Sequence, residues 1–363
     1  MRGCAFGHIR GRSGPGARGG DAATDGPLRR WFALIPLAAL LLVIAGCGPE
    51  EEAAQKKPPP APEPAEAPPL EEEPAGRVVE VGPAPEGVAA DPETGLVAVA
   101  LRNPNELALV DGESGEVSQR VKLPESARHL DLAAPGGPVL VPAEGSDSLV
   151  QVGLPDGEIL DETPVEDFPH AAAAAPGGRI FVVNEKASTA SIVEDGREVE
   201  TVETDLKPGG VAVTESGLVG IVGVQGLTLE VFEAEALDSL GRVDAGEGPT
   251  HVRAGPGDRF YVTDTRGDAV FVYGARPEPK RLDRIPLPGS PYGIAIDLER
   301  DHLWVTLTAR QQLVQFALEG DALREIARYP TVRQANTVAV DPASGRVFVT
   351  GKAEGQLQIL DPR

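Results

Sequence analysis

From residue 77 to the C-terminus, short apolar runs alternate with turn residues. The runs are rich in Val, Ile and aromatic side chains, and Gly, Pro, Asn and Asp separate them. Runs of this length and composition are typical of β-strands, and the residues between them are typical of turns. The pattern therefore predicts an all-β structure for this part of the chain.

The strand pattern is also periodic. A short apolar run preceded by a small residue or a histidine recurs seven times, every 40 to 44 residues. We call the residue before each run the marker residue; the seven markers are Gly87, His129, His170, Gly210, His251, Gly293 and Thr337. Each repeat has room for four strands, and four strands in about 41 residues is the plan of a β-propeller blade. The sequence therefore predicts a seven-bladed β-propeller.

The two ends of the repeat region complement each other. The seventh repeat ends after three strands, at Leu360, whereas residues 77–81 form a spare strand ahead of the first marker. We predict that this N-terminal strand becomes the fourth strand of the last blade and closes the ring, which leaves no unpaired sheet edge.

Several second strands carry a recognisable motif. Residues 181–184 read FVVN, 261–264 read YVTD, 304–307 read WVTL and 348–351 read FVTG. Over residues 77–363 the chain resembles the YVTN-repeat β-propeller family, although the second and fourth repeats depart from the motif. The resemblance implies the propeller fold, and similar propellers include binding proteins, lactonases and streptogramin-lyase-like enzymes.

The N-terminal segment reads as an export signal. Arg29 and Arg30 precede an uncharged apolar run that ends at Ile44-Ala45-Gly46-Cys47. A positive start, an apolar stretch and a small-residue end are typical of a secretory signal peptide. The end resembles a bacterial lipobox, which implies removal of residues 1–46 and lipidation of Cys47. The alternative is an uncleaved transmembrane anchor.

Residues 47–76 follow as a Pro-, Glu- and Ala-rich linker. Beyond Cys47 this stretch has no aromatic or β-branched residue. Such a composition cannot bury a core, so we expect a disordered, solvated tether that holds the propeller away from a membrane. The predicted location is the extracytoplasmic face of the cell membrane, or the periplasm, with a lipid anchor.

Charge and cysteine content exclude several classes of function. The chain has 33 basic and 56 acidic residues, a net charge of −23. This balance argues against nucleic acid as a partner. Two cysteines exclude a disulfide-stapled scaffold and a multi-cysteine metal site.

The markers suggest where a ligand would bind. Three of them are histidines, His129, His170 and His251, and the symmetry of the ring places them at one height around the channel. Asn184 and Asp264 follow second strands and are expected on the same face. We predict a ligand-binding channel mouth formed by these five residues. The alternative is that each imidazole fixes a turn by a hydrogen bond to a neighbouring blade.

A metal ion is a further candidate ligand. Imidazole is a common ligand of transition metals. His129 and His170 lie on adjacent blades and are the candidate pair for a weakly bound divalent ion, whereas His251 would have to reach across the channel.

Three functions fit these features. The first is a membrane-anchored binding protein that presents its loop face to a protein, peptide, glycan or small ligand, without catalysis. The second is a lactonase- or lyase-type enzyme acting at the histidine-lined mouth, and the third is a structural subunit of a cell-envelope complex.

Overall fold

A computed structural model describes residues 58–362 of the chain. The predicted signal peptide, the predicted lipidation site Cys47 and the first part of the linker lie outside the described residues. Among residues 58–362, no helix is long and apolar enough to cross a bilayer.

Residues 77–360 form 28 strands. The first fourteen are β1 (Arg77–Glu80), β2 (Val88–Ala90), β3 (Leu96–Leu101), β4 (Glu106–Asp111), β5 (Val117–Lys122), β6 (Asp131–Leu132), β7 (Val139–Ala143), β8 (Ser148–Val152), β9 (Ile159–Pro164), β10 (Pro169–Ala174), β11 (Ile180–Asn184), β12 (Thr189–Glu194), β13 (Arg197–Glu203) and β14 (Pro208–Val213). The others are β15 (Leu218–Gly223), β16 (Thr228–Glu233), β17 (Ser239–Asp244), β18 (Pro249–Gly255), β19 (Arg259–Asp264), β20 (Ala269–Gly274), β21 (Lys280–Pro286), β22 (Pro291–Asp297), β23 (His302–Leu307), β24 (Gln312–Glu319), β25 (Ala322–Pro330), β26 (Ala335–Val340), β27 (Val347–Gly351) and β28 (Gln356–Leu360). One 3₁₀ turn, Thr308–Arg310, separates β23 from β24.

The strands make seven four-stranded antiparallel sheets, the blades of a β-propeller. Blades 1 to 6 each take four consecutive strands, from β2–β5 in blade 1 to β22–β25 in blade 6. Blade 7 has the order β26-β27-β28-β1. The prediction of seven blades is confirmed.

The N-terminal strand closes the ring as the sequence predicts. β1 pairs antiparallel with β28, with Arg77 opposite Ile359 and Glu80 opposite Gln356. Val81, at the end of this strand, is fully buried. The sheet edge of blade 7 is therefore covered by residues that precede blade 1 in the chain.

The hydrophobic core lies between the blades. The buried apolar side chains form seven clusters, and each cluster joins two neighbouring blades, including blades 7 and 1. The inner three strands are mostly buried, whereas outer strands such as β13 and β21 are largely exposed. Sheets that pack on both faces need apolar residues throughout, and a charged outer strand protects the exposed edge.

Residues 58–76 have no helix or strand before β1, and they belong to the same compact unit as the blades. They are not uniformly solvated, because Ala67 is only 2% exposed. The structure here differs from the expectation of a free tether. The difference arises because loop side chains of the propeller bind this stretch, as described below.

Candidate functional site

One end of the central channel collects the marker residues. They lie at the start of the inner strands, beside the loops that connect second and third strands. We call this end the mouth. Small markers occur where neighbouring inner strands approach closely: a Cβ on Gly293 would lie 2.5 Å from the carbonyl oxygen of Asn336 in the next blade.

The three marker histidines meet at the mouth, as symmetry predicts. The ring of His129 lies between the other two, with centroid distances of 4.8 Å to His170 and 4.6 Å to His251. Nε2 of His129 is 3.3 Å from Nε2 of His251. His251 does reach across the channel to His129, because the two side chains point inward from blades 2 and 5 and together span it.

The contacts of His251 fix its tautomer. Its Nδ1 lies 2.9 Å from the carbonyl oxygen of Tyr292 in blade 6. A carbonyl only accepts, so Nδ1–H is the donor, and Nε2 carries the lone pair in the neutral ring. This bond to a neighbouring blade is the one that the turn-fixing alternative predicted, although it leaves Nε2 available for another contact.

Both members of this pair are held neutral. Burial lowers the pKa of His251 to about 3, with His170, Arg253 and Arg128 adding to the shift, against the hydrogen bond to Tyr292. Burial, and then the neighbouring His251 and His170, lower the pKa of His129 well below its usual value. At neutral pH the centre of the mouth therefore carries two uncharged imidazoles.

His170 has a different environment. Its Nδ1 lies 3.1 Å from Oε1 of Glu144 and 3.4 Å from Oε2 of Glu185. Burial alone would raise the pKa of Glu144, but the hydrogen bond from His170 and the charges of Arg128 and Arg102 hold it below its usual value. His170 and Glu144 thus form a buried imidazole–carboxylate pair.

A ring of charge surrounds the imidazoles on one side. The residue directly after the second strand is charged in blades 7, 1, 2 and 3, where it is Lys352, Arg102, Glu144 and Glu185. Arg102 joins two buried carboxylates, with its Nε 2.6 Å from Glu86 and its Nη2 3.1 Å from Glu144. Lys352 also pairs with Glu86, and Lys207 with Glu185 at 3.0 Å. Buried charges are tolerated only when paired in this way.

Glu144 and Glu185 could be placed on this face because they follow second strands, whereas the basic residues Arg102 and Lys352 were not predicted, although a signal existed. Glu86 and Arg128 stand directly before the markers Gly87 and His129, and the four ring residues share one position in the repeat. Comparing residues at equal repeat positions, rather than motifs alone, would have identified them.

The side chains of Asn184 and Asp264 are engaged in local hydrogen bonds. The amide of Asn184 donates to Thr189 and Ser191 within its own blade. The carboxylate of Asp264 accepts from the backbone N–H groups of residues 247, 248 and 267, at 2.7 to 3.0 Å. Both side chains stabilise turns in the structure, and their predicted contact with a ligand stays a prediction.

The chain's own residues 60–68 lie across the mouth. We call them the cover segment. Ala61, Pro62 and Glu63 border the same cavity as His170 and His251. Nη1 of Arg128 is 3.4 Å from Oε2 of Glu63, so the cover segment is paired with the charged side of the mouth.

Side chains from three blades and their connections hold the cover segment by its backbone. Arg266 donates to the carbonyl of Pro60 at 2.7 Å, and Gln311 donates to that of Pro68. Gln334 makes two bonds, donating to the carbonyl of Ala65 and accepting from the N–H of Ala67, both at 2.9 Å. The segment is thus recognised mainly as a peptide backbone.

Within residues 58–362, no group of three or more His, Cys, Asp or Glu side chains is arranged to hold a metal ion. The shortest contact between ring nitrogens joins His129 to His251, whereas the predicted metal pair was His129 and His170. Metal binding by His129 and His170 stays a prediction. Nδ1 of His170 already contacts the carboxylates of Glu144 and Glu185.

Comparison with known proteins identifies the fold. No protein family model and no curated protein matches the chain. Solved structures match it closely in shape. The chain of Kuenenia stuttgartiensis hydrazine synthase superposes with a TM-score of 0.68 at 14% identity, covering 78% of this chain and 97% of that one. The β-propeller domain of Myceliophteria thermophila Cps50 gives 0.67 at 11% identity, covering 79% and 100%.

A lyase is also among the similar structures. A catalytically inactive histidine-to-alanine variant of virginiamycin B lyase from Staphylococcus aureus, solved with quinupristin, gives a TM-score of 0.65 at 16% identity, covering 79% of this chain and 99% of that one. At these identities the likeness shows the fold alone, because one propeller architecture supports many functions.

Proposed function

We propose that this protein is a lipid-anchored, extracytoplasmic β-propeller of the YVTN-repeat type whose mouth binds a proline-rich, acidic peptide segment. The observation that carries the proposal is the cover segment. Residues 60–68 have this composition and lie across the mouth, held by side chains that the propeller directs at a peptide backbone.

The type of contact explains the ligand class. Proline-rich segments are poor in N–H donors and rich in free carbonyls, so a face that offers Arg and Gln side chains suits them. Such segments also lose little entropy on binding, because they are already extended in solution. Glu63 beside Arg128 adds a preference for an acidic residue, and the buried Ala67 adds a preference for a small one.

A peptide competition tests this proposal. The probe is a labelled synthetic peptide with the sequence of residues 58–70, and the protein is compared with a variant whose residues 58–70 are replaced by Gly and Ser. We expect the peptide to bind the variant about three- to fivefold more tightly, because its own cover segment no longer competes. Fluorescence anisotropy measures the affinities.

The control is a peptide in which the residue equivalent to Ala67 is Trp. A bulky side chain does not fit a position that is 2% exposed, so this peptide should bind weakly to both proteins. If the unmodified peptide binds neither protein, the mouth is not a peptide-binding site.

Anchoring is a separate part of the proposal, supported by the lipobox-like residues 44–47. Lipidation requires the thiol of Cys47, so Cys47→Ser should release the protein from the membrane fraction and prevent removal of residues 1–46. Membrane association of the variant at the normal level would support a transmembrane anchor instead.

A lyase-type activity is the second candidate. It is supported by the buried pair of His170 and Glu144, since a histidine oriented by a carboxylate is a common general base. Its test is chromatographic loss of intact quinupristin, with His170→Gln as the control. A rate equal to that of the variant would exclude this activity on quinupristin.

A further inference from the structure

The contact between His129 and His251 has a geometry that suits a metal ion. Their Nε2 atoms are 3.3 Å apart. A tetrahedral zinc ion with Zn–N distances of about 2.05 Å separates two ligand nitrogens by about 3.3 Å. The two imidazoles therefore already have the spacing of a chelating pair.

The tautomer of His251 also fits a ligand. Metal-binding histidines commonly donate the other ring N–H to a carbonyl or carboxylate, which orients the ring. Nδ1 of His251 makes such a bond, 2.9 Å long, to the carbonyl of Tyr292. Its Nε2 lone pair consequently points at His129. In the metal-free contact, Nε2–H of His129 donates to this lone pair. Within residues 58–362, no hydrogen bond involves Nδ1 of His129, so the ring can carry its proton on Nδ1 and present Nε2 as a ligand when a metal ion binds.

A cavity beside the two histidines leaves the remaining coordination positions of an ion accessible, and carboxylates pair with the nearby arginines. His129 and His251 border a cavity in the channel with the small markers Gly210 and Gly293. Arg253 pairs with Asp131 at 3.7 Å and Arg128 with Glu144 at 3.3 Å. An ion here would complete its shell with water from the channel.

We propose that His129 and His251 form a two-histidine site for a divalent transition-metal ion of the zinc type, with open positions facing the channel. Imidazole suits zinc, copper and nickel, and copper(II) binds most tightly among them. This site differs from the pair expected from the sequence, because His170 is turned to Glu144 and Glu185 instead. The proposal does not depend on peptide binding at the mouth.

Isothermal titration of the untagged full chain with zinc chloride tests the site. The reference is the double variant His129→Gln/His251→Gln, which retains the acidic surface and both cysteines. We expect the full chain to bind one zinc ion per molecule more than the double variant, with affinity for that ion reduced at least about 100-fold in either single variant. His170→Gln, changed at the same repeat position, should keep this ion within about twofold.

A second measurement keeps the proposal testable if a variant fails to fold. Anomalous diffraction at the zinc edge, from crystals of the unmodified protein soaked in zinc, should show a peak between the two Nε2 atoms. A peak only at Glu86, Glu144 or His170, or equal zinc binding by the full chain and the folded double variant, would overturn the proposal. In either case the two rings would simply share a hydrogen bond.

Discussion

Two neighbouring stretches of the N-terminal region contact the propeller in different ways. β1 joins blade 7 through a regular ladder of backbone hydrogen bonds, and the adjoining Val81 is fully buried. The cover segment has no strand, and most of its polar contacts come from loop side chains. One stretch is thus part of the fold, whereas the other is bound as a ligand would be.

β1 and the cover segment should therefore contribute differently to the free energy of unfolding. Ordering a residue's backbone costs about 1 kcal/mol or more, and a hydrogen bond contributes about 1 kcal/mol net. In the cover segment only five such hydrogen bonds stand against the ordering of nine residues, so little net stabilisation results. In β1 the burial of Val78, Val79 and Val81 adds a clear surplus. The cover segment is therefore exchangeable, and β1 is not.

The largest expected effect is the loss of β1. Deleting residues 77–82 should lower the free energy of unfolding by about 4 kcal/mol or more, because valine burial is lost and the edge of β28 is exposed. Replacing residues 58–70 with Gly and Ser should change it by less than about 1 kcal/mol. Urea denaturation, followed by the fluorescence of Trp304 at the interface of blades 6 and 7, measures both. Equal effects would remove the distinction between the two stretches.

Lowering the pH should destabilise the protein through histidines of the blades rather than through the cover segment. The folded state holds the pKa values of His129 and His251 below the ordinary value, so the unfolded chain takes up protons first as the pH falls. In metal-free protein, stability should therefore fall by about 2 kcal/mol between pH 6.5 and about 5.5.

Urea denaturation at several pH values checks this expectation. His129→Gln/His251→Gln should lose at least half of the pH dependence, whereas replacing residues 58–70 should leave most of it. The titratable group His170 and the charged groups Arg128 and Arg253, which face the pair, are unchanged in all these proteins. A profile that is unaltered in the double variant would assign the acid sensitivity to other groups.

The smallest effect concerns one ion pair. Glu63→Gln removes the contact with Arg128, an exposed pair worth less than about 1 kcal/mol. The peptide of residues 58–70 should then bind the otherwise intact protein up to about threefold more tightly, since its intramolecular competitor is weakened. Glu66→Gln is the matched control, because Glu66 makes no ion pair within residues 58–362. The same gain in both variants would indicate a general charge effect.

The fold was predictable because the repeat constrains it. The seven markers fix the number of blades, and the spare strand at residues 77–81 fixes how the ring closes. The meeting of His129, His170 and His251 followed from the same symmetry. Each of these conclusions depends on the position of a residue's backbone in the ring, and the repeat spacing specifies that position.

Side-chain direction was less predictable. Asp264 follows a second strand in the expected place, but three backbone N–H groups nearby hold its carboxylate in a turn. The contact between His129 and His251 depends on the width of the channel, which spacing does not give. The binding of residues 60–68 depends on donors scattered over distant loops, such as Arg266 and Gln334, so local composition could not indicate it.

The order of these segments along the chain has a mechanical consequence. A pull applied to the chain ahead of residue 58 reaches the cover segment before it reaches β1. The side-chain contacts of residues 60–68 are few and separate, so they can yield one at a time, whereas the ladder between β1 and β28 resists as a unit. Tension transmitted from the proposed lipid anchor would therefore uncover the mouth while the ring stays closed.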